Sequence, residues 1–273
     1  MGVTFVFTLL FIFGLGILIL DGQRYIAEIK YYQGMTSWQA GNKDEGIKDL
    51  LSAASLNNSS DLYFRQLSQV YLFTLQYKLQ NAKTAMTDAE KNQVQTSFAN
   101  AINAAKIATN LNPKSAINWT NLGYIYQSLN GLAGDTSTWS INSYNQALKL
   151  DPNNPYLYSQ EGAVNFISAL ALGQDKVDQK TQLLNTAKGE LNKSISLNSN
   201  YLDALYTLGL VYDALGQKDQ AIDEFTKVQQ LNPQDTTVPK ILSNLNAGLP
   251  ALQTPPAATP PAENSTGNST IKK

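Results

Sequence analysis

Residues 202–217 read LDALYTLGLVYDALGQ, and residues 118–131 read NWTNLGYIYQSLNG. Both place a bulky apolar residue, two spacers, Leu-Gly, two spacers and a Tyr in that order. Each follows a break rich in Asn and Ser, LNSNY in one case and LNPKSA in the other. Leu205, Leu208, Gly209 and Tyr212 recur at helical spacing and so share one helix face. Beyond Gly216 a second set, Ala221, Phe225 and Val228, does the same, and Pro233 stops it. Two helices facing each other across a turn are therefore expected, with Gly209 and Ala221 small so that they can approach closely.

Measured from residue 202, these landmarks occupy positions 4, 7, 8, 11, 15, 20, 24, 27 and 32 of a unit of about 34 residues. This spacing resembles the tetratricopeptide repeat, in which helical hairpins stack into a superhelix. The register runs backwards through the chain. The unit at 155–201 has Tyr158, Gly162, Ala187, Leu191 and Ser194, with Ser199 in the proline slot. The unit at 116–154 has Trp119, Leu122, Gly123, Tyr126, Tyr144, Ala147 and Pro152. The unit at 61–115 has Phe64, Leu67, Ser68, Tyr71, Ala101, Ala105, Ala108 and Pro113. The first, at 27–60, is degenerate: Gly34, Gly41, Leu50 and Ala53 fit, whereas Lys30 and Gln33 do not. A hairpin of this kind cannot bury its apolar face alone, which is why the phrase must recur. The expected fold is all-α, a superhelix of about five helix pairs over 27–248 with a capping helix at 236–248.

Length varies between the units around the turns, at NGLAGDTS, at LGQDKVDQKTQ and at YKLQNAKTAMTDAEKNQVQTS. The last is rich in helix formers. Thr87 and Glu90 in it have the spacing of a capping box. Both helices of that unit are expected to run on past the stack. From Pro250 onwards the chain holds five of its ten prolines with Ala, Thr, Ser and Asn. Residues 249–273 are therefore expected to be disordered.

Residues 2–20, GVTFVFTLLFIFGLGILIL, are uncharged. At 1.5 Å per residue they reach about 28 Å, the thickness of a bilayer's hydrocarbon. Nothing basic but the terminal amine precedes them, and LILDGQ offers no small-x-small cleavage site, so a retained transmembrane helix is expected rather than a signal peptide. Arg24 and Lys30 pull their flank towards the cytoplasm only weakly. The repeats are expected on the extracytoplasmic side of a bacterial envelope.

Formal net charge is −1, and no basic excess exists to neutralise nucleic acid. Histidine and cysteine are both absent. The usual general base, the commonest zinc ligand and the thiolate nucleophile are thereby missing. Phosphate-loop, zincin, EF-hand and nucleophile-elbow motifs are also missing. No catalytic, cofactor-binding or metal-binding residue is assigned. Asn-x-Ser/Thr triplets, at Asn118 for example, are frequent by chance in such a composition.

The resemblance implies a concave groove lined by positions 2, 5, 9 and 12 of the first helices. Carried over, these are Leu62, Arg65, Gln69 and Leu72; Ile117, Thr120, Tyr124 and Gln127; Tyr156, Ser159, Ala163 and Phe166; and Asp203, Tyr206, Leu210 and Asp213. Arg65 is the one cation among them, so the family's carboxylate clamp is not expected. The candidate partner-binding residues are Arg65, Gln69, Tyr124, Gln127, Tyr156, Phe166, Tyr206 and Asp213. An aromatic and amide groove suits an extended peptide or a partner helix, and would also accommodate a glycan. The expected function is a membrane-anchored, non-catalytic scaffold for protein–protein interaction. A second resemblance rests on layout. A membrane span followed by this repeat order is similar to the C-terminal repeat regions of O-antigen ligase or polymerase-like bacterial membrane proteins. It implies that the chain is part of a multi-span glycosyltransferase of cell-surface polysaccharide assembly.

Overall fold

The computed structural model describes residues 2–80, 87–130 and 134–253. Its helices run α1 (Gly2–Gln39), α2 (Lys43–Leu56), α3 (Asp61–Gln80), α4 (Asp88–Leu111), α5 (Ala116–Ser128), α6 (Thr136–Leu150), α7 (Pro155–Leu170), α8 (Val177–Leu197), α9 (Leu202–Ala214), α10 (Lys218–Leu231) and α11 (Val238–Asn246). No β-strand occurs among the described residues. The fold is the expected one: helix pairs α1–α2 to α9–α10 stack in chain order, and α11 closes the end.

Four of the five pairs are drawn together at a point without a side chain. A Cβ built on Gly209 would lie 2.8 Å from the Phe225 ring, one on Gly123 2.7 Å from Tyr144, and one on Gly162 2.6 Å from Leu191. One on Gly34 would lie 2.9 Å from Leu50. These are the position-8 residues of the repeat phrase, and the atoms opposite belong to the second helix. In α3 the same place holds Ser68, which is fully buried and donates to its own helix at Arg65 O, 2.6 Å away.

Apolar contacts then join neighbouring pairs. Ala27, Leu50 and Ala53 pack with Tyr63, Leu67 and Val70. Leu72, Leu75 and Ala105 pack with Leu122 and Ile125. Tyr144 and Ala147 pack with Leu157 and Val164. Leu184 and Leu191 pack with Ala204 and Leu208. Leu205, Phe225 and Val228 pack with Val238, Ile241 and Leu245 of α11, which thereby covers the last apolar face.

The turns divide into two kinds. Gly41 and Gly216 have φ of +97° and +74°. They close α1 and α9 tightly, with Gln217 N donating to Tyr212 O at 2.8 Å in a Schellman turn. Longer pairs use longer helices. α3 and α4 have 20 and 24 residues, against 13 and 14 for α9 and α10. α4 starts in the expected capping box: Thr87 Oγ1 accepts from Glu90 N, and Thr87 N donates to the Glu90 carboxylate at 2.7 Å. The insertion after α7 is also largely helical, since α8 has 21 residues.

Three findings depart from the sequence reading. The apolar stretch at 2–20 is not a separate element. It continues through Arg24 and Lys30 into the first repeat helix, all within the 38-residue α1. Gly22 is the one weak helix former at that junction, and a lone Gly does not break a helix. Residues 249–253, expected to begin a disordered tail, are held to the fold by main-chain hydrogen bonds, and Ala251 is buried with the α11 core. The rest of that tail, 254–273, lies outside the described residues. Third, position 7 of α7 is Glu161, where α3, α5 and α9 bury Leu67, Leu122 and Leu208. Glu161 is 5% exposed and its Oε1 has no hydrogen-bond partner. Burial, with the Glu190 charge opposite on α8, pushes its carboxyl up to about 8.

Two measurements check this packing. Gly209→Leu must displace the Phe225 ring and is expected to destabilise by about 1–3 kcal/mol, read as a lower urea midpoint. An unchanged midpoint would contradict the close approach. For Glu161 the folded protein favours the protonated form. Its contribution is favourable below the ordinary value of 4.5 and is lost as pH rises through about 8. Glu161→Leu should therefore stabilise the chain more at about pH 9 than at about pH 5, by on the order of 2–4 kcal/mol. A pH-independent gain would show that the carboxyl is not buried.

Candidate partner-binding groove

The first helices α3, α5, α7 and α9 form one wall, and position along them decides which side chains reach open space. Tyr124 from the middle of α5 and Tyr156 from the first turn of α7 are both half-buried and line one cavity with Gln69, Ile117, Thr120 and Asn121. Its open volume is about 180 Å³. α7 starts sharply because Asn154 caps it, accepting from Tyr156 N at 3.1 Å, with Pro155 at the first helical position. That cap fixes where the Tyr156 ring enters. Burial raises the Tyr156 hydroxyl to about 12, helped by neighbouring Tyr201 and Tyr124. It stays a neutral donor at any physiological pH. The cavity thus offers hydroxyls, carboxamides and ring faces without a formal charge, a surface suited to main-chain amides and apolar side chains.

The other candidates are differently employed. Arg65 Nη1 donates to Asn118 Oδ1 at 2.9 Å, and Gln69 Nε2 donates to Asn121 Oδ1 at 3.0 Å. Gln127 Oε1 accepts from the Tyr144 hydroxyl at 2.5 Å. Asp213 Oδ2 accepts from Ala251 N at 2.9 Å. Tyr206 packs edge-to-face on Phe225 at 5.4 Å and leans on the α11 core. Phe166 is 8% exposed and belongs to the α7–α9 core, so it is a packing residue with one edge at the surface rather than an open anchor. Leu72 and Ser159 are buried too. Tyr124, Tyr156 and Gln69 are brought together; Phe166, Tyr206 and Asp213 are not part of that cavity.

Sequence reasoning missed the polar seam behind the cavity. Asn118 and Asn121 are almost wholly buried between α3 and α5. Asn118 Nδ2 donates to Asp61 Oδ2 at 2.7 Å and to Ala108 O at 3.1 Å. Asn121 Nδ2 donates to Ser68 Oγ at 2.8 Å. Full burial also removes Asn118 as a glycan acceptor. The signal in the sequence was the phrase NWTN itself, with two amides one turn apart on an otherwise apolar helix.

A second cavity, about 480 Å³, lies at the far ends of α7 and α9. Phe166, Leu170, Leu210, Asp213 and Ala214 form its walls together with Lys180 of α8 and the chain itself at Pro250, Leu252 and Gln253.

Comparison with known proteins agrees with this architecture. Residues 202–235 match the model of the tetratricopeptide repeat. Among solved structures the chain is similar to PilW, described as a widely conserved type IV pilus biogenesis factor. That match has 17% identity and a TM-score of 0.56 over 83% of this chain and 88% of that one. It is similar to a MamA protein at 17% identity, TM-score 0.55, over 77% of this chain and 93% of that one. A thermophilic tetratricopeptide-repeat protein of Thermus thermophilus matches at 14% identity, TM-score 0.53, over 81% and 99%. No curated protein matches the chain at a significant level. At these identities the likeness concerns the fold: the chain is built as a tetratricopeptide-type helical scaffold, and residues 202–235 carry that repeat's sequence pattern.

Proposed function

We propose that this chain is a membrane-anchored scaffold that binds an extended segment of a partner protein and performs no chemistry. The observation that carries the reading is the uncharged cavity of Gln69, Thr120, Tyr124 and Tyr156 on the wall of first helices. Aromatic side chains at such positions are the ones that most often dominate binding energy. The polar seam supports the same reading, because Asn121 ties Gln69 to Ser68 and so holds the cavity wall in one conformation. The absence of His and Cys from the whole chain leaves few groups for acid–base or nucleophilic work near neutral pH. Anchoring is supported by the apolar part of α1, whose mean hydropathy reaches 2.4 and which is not buried among the described residues. The alternative, a repeat region of an O-antigen ligase-like protein, rests on the layout of a span followed by repeats, which any anchored repeat scaffold shares.

Displayed random peptides selected on the full chain in lipid nanodiscs test the groove. Selected peptides should bind with weak dependence on salt, since no charge lines the cavity. Tyr124→Ala and Tyr156→Ala should each weaken them by about 2 kcal/mol, roughly thirtyfold. Equal affinity for wild type and the double variant would remove this cavity as the site. Anchoring has its own test: in bacterial membranes the chain should resist extraction by alkaline carbonate. Recovery of a soluble form beginning near residue 21 would mean that the apolar stretch is a cleaved signal.

A further inference from the structure

The face of α1 that joins the repeat stack is marked by Ala27 and Gly34, both buried. Roughly half a turn away stand Leu18, Gly22, Tyr25, Ile29, Tyr32 and Thr36, in alternating steps of four and three residues. Tyr25 and Ile29 each lie two residues from Ala27, and Tyr32 lies two from Gly34, a rotation of about 200°. The same steps run back through Leu15, Phe11 and Thr8 in the apolar part of the helix. Such spacing repeats every seven residues and is the narrow seam of a coiled coil rather than the wider stripe of a core-facing helix. The seam is open: Tyr25 is 70% exposed, Ile29 39% and Tyr32 61%. Tyr32 makes an edge contact with Tyr31 of the same helix, their rings 5.4 Å apart.

Lipid covers the seam only as far as the bilayer reaches. With 2–20 across the hydrocarbon, Tyr25 stands about 7.5 Å beyond residue 20, Ile29 about 13 Å and Tyr32 about 18 Å. The headgroup layer on one side is about 5–8 Å deep. Ile29 and Tyr32 therefore project into water, where only protein can cover them. The occupant has to run beside α1 from the bilayer out to Tyr32. A second copy does so without further provision, because two chains anchored in one bilayer hold their α1 helices parallel and level. The charges agree. No Asp, Glu, Lys or Arg stands on the seam or at the adjoining Ile26 and Gln33. In a parallel pair Asp21 comes opposite Ile26 of the other copy, and Glu28 opposite Gln33, so no like charges meet. Arg24 is engaged with Asp21, and Lys30 with Asp49, away from the seam. At Gly22 a Cβ would meet open space, so two helices can come close there as they leave the bilayer. The repeat stack lies on the opposite face of α1, outside such a pair.

We propose that α1 pairs in parallel with α1 of a second copy along this seam, so that the chain is a dimer on a shared helical stalk with its two repeat stacks on the outer sides. The proposal rests on the anchoring reading, and it does not require that the Tyr124 cavity bind anything.

The chain contains no cysteine, so a single engineered one reports on one position at a time. The purified full chain, reconstituted in liposomes at low protein density, is oxidised mildly with either Tyr25→Cys, on the seam, or Gln23→Cys. Gln23 is also exposed and stands at nearly the same height, but it points away from the seam. Tyr25→Cys should form disulfide-linked dimers at least about tenfold faster, and dilution with more lipid should leave that preference intact. Adding Ile29→Lys places like charges face to face on the seam and should abolish the preference, whereas Ile29→Leu should keep it. Ile29 is partly exposed and outside the core clusters, so circular dichroism and the urea midpoint of the Lys variant should match those of the parent. Equal rates at 23 and 25, or a monomer throughout, would overturn the pairing and leave the seam to another protein. Carbonate extraction of the same liposomes separates the two readings. A chain that resists extraction yet stays monomeric loses only the pairing, whereas a chain released by carbonate loses the anchor and the pairing with it.

Discussion

The ring of Phe225 occupies the place where a side chain on Gly209 would be. The same arrangement recurs at Gly123 with Tyr144, Gly162 with Leu191 and Gly34 with Leu50. This contact is the constraint on which the rest depends. It fixes how close the two helices of a pair lie and at what angle they cross, because ridges of one helix must enter the gap left on the other. A pair so fixed presents one apolar face to the pair before it and one to the pair after. Each of the five core clusters is accordingly shared by two neighbours. Superhelix, concave wall and cavities follow from repetition of this local contact, as expected when stability is a sum over nearest neighbours.

One junction is different in kind. Between α3 and α5 the apolar contact is accompanied by a chain of side-chain hydrogen bonds through Asp61, Asn118 and Arg65, and through Ser68, Asn121 and Gln69. Such groups, once buried, cost more when unpaired than they contribute when paired, so they tolerate few alternative registers. The seam sits directly under the Tyr124 cavity and defines its back wall. Arg65 keeps its charge but donates into this network and does not line the cavity. By contrast Glu161, in the α7–α8 core, has no such network, and its carboxyl is left to favour the proton.

The spacing of bulky and small residues made the helix pairs legible, because position 8 must be small wherever two helices touch and the sequence shows which residues are small. The capping box at Thr87 and Glu90 was legible for a similar reason: it is local, and four consecutive residues suffice to write it. What could not be read was pairing across the fold. A face can be assigned from periodicity, but Arg65, Gln69, Gln127 and Asp213 look like free groove residues until Asn118, Asn121, Tyr144 and Ala251 are seen opposite them. Phe166 lines the second cavity by an edge only, because most of its ring is packed into the core between α7 and α9. The start of the tail was misread because composition measures how much a segment can bury, and Ala251 is held by Asp213 and Asn244 as well as by its own small side chain.

Continuity of α1 has a mechanical consequence for the proposed anchor. Ala27 and Gly34, two turns apart on one face, are buried against the rest of the chain, while Tyr25 and Tyr32 on other faces are exposed. The contact of Gly34 with Leu50 therefore fixes the rotation of α1 about its own axis. Lys30 paired with Asp49 at 2.9 Å, and the Tyr63 hydroxyl donating to Glu28 at 2.6 Å, hold the same phase from two sides. An unbroken helix carries that phase outward at 1.5 Å and about 100° per residue. On the proposed anchoring, the repeat stack is thus not suspended from a flexible linker. Its first hairpin shares a helix with the span, and the direction in which the Tyr124 cavity opens is set by the rotation of α1 in the bilayer. A linker rich in Gly and Ser would have left that direction free. Here the packing that makes the first pair of helices also orients the groove.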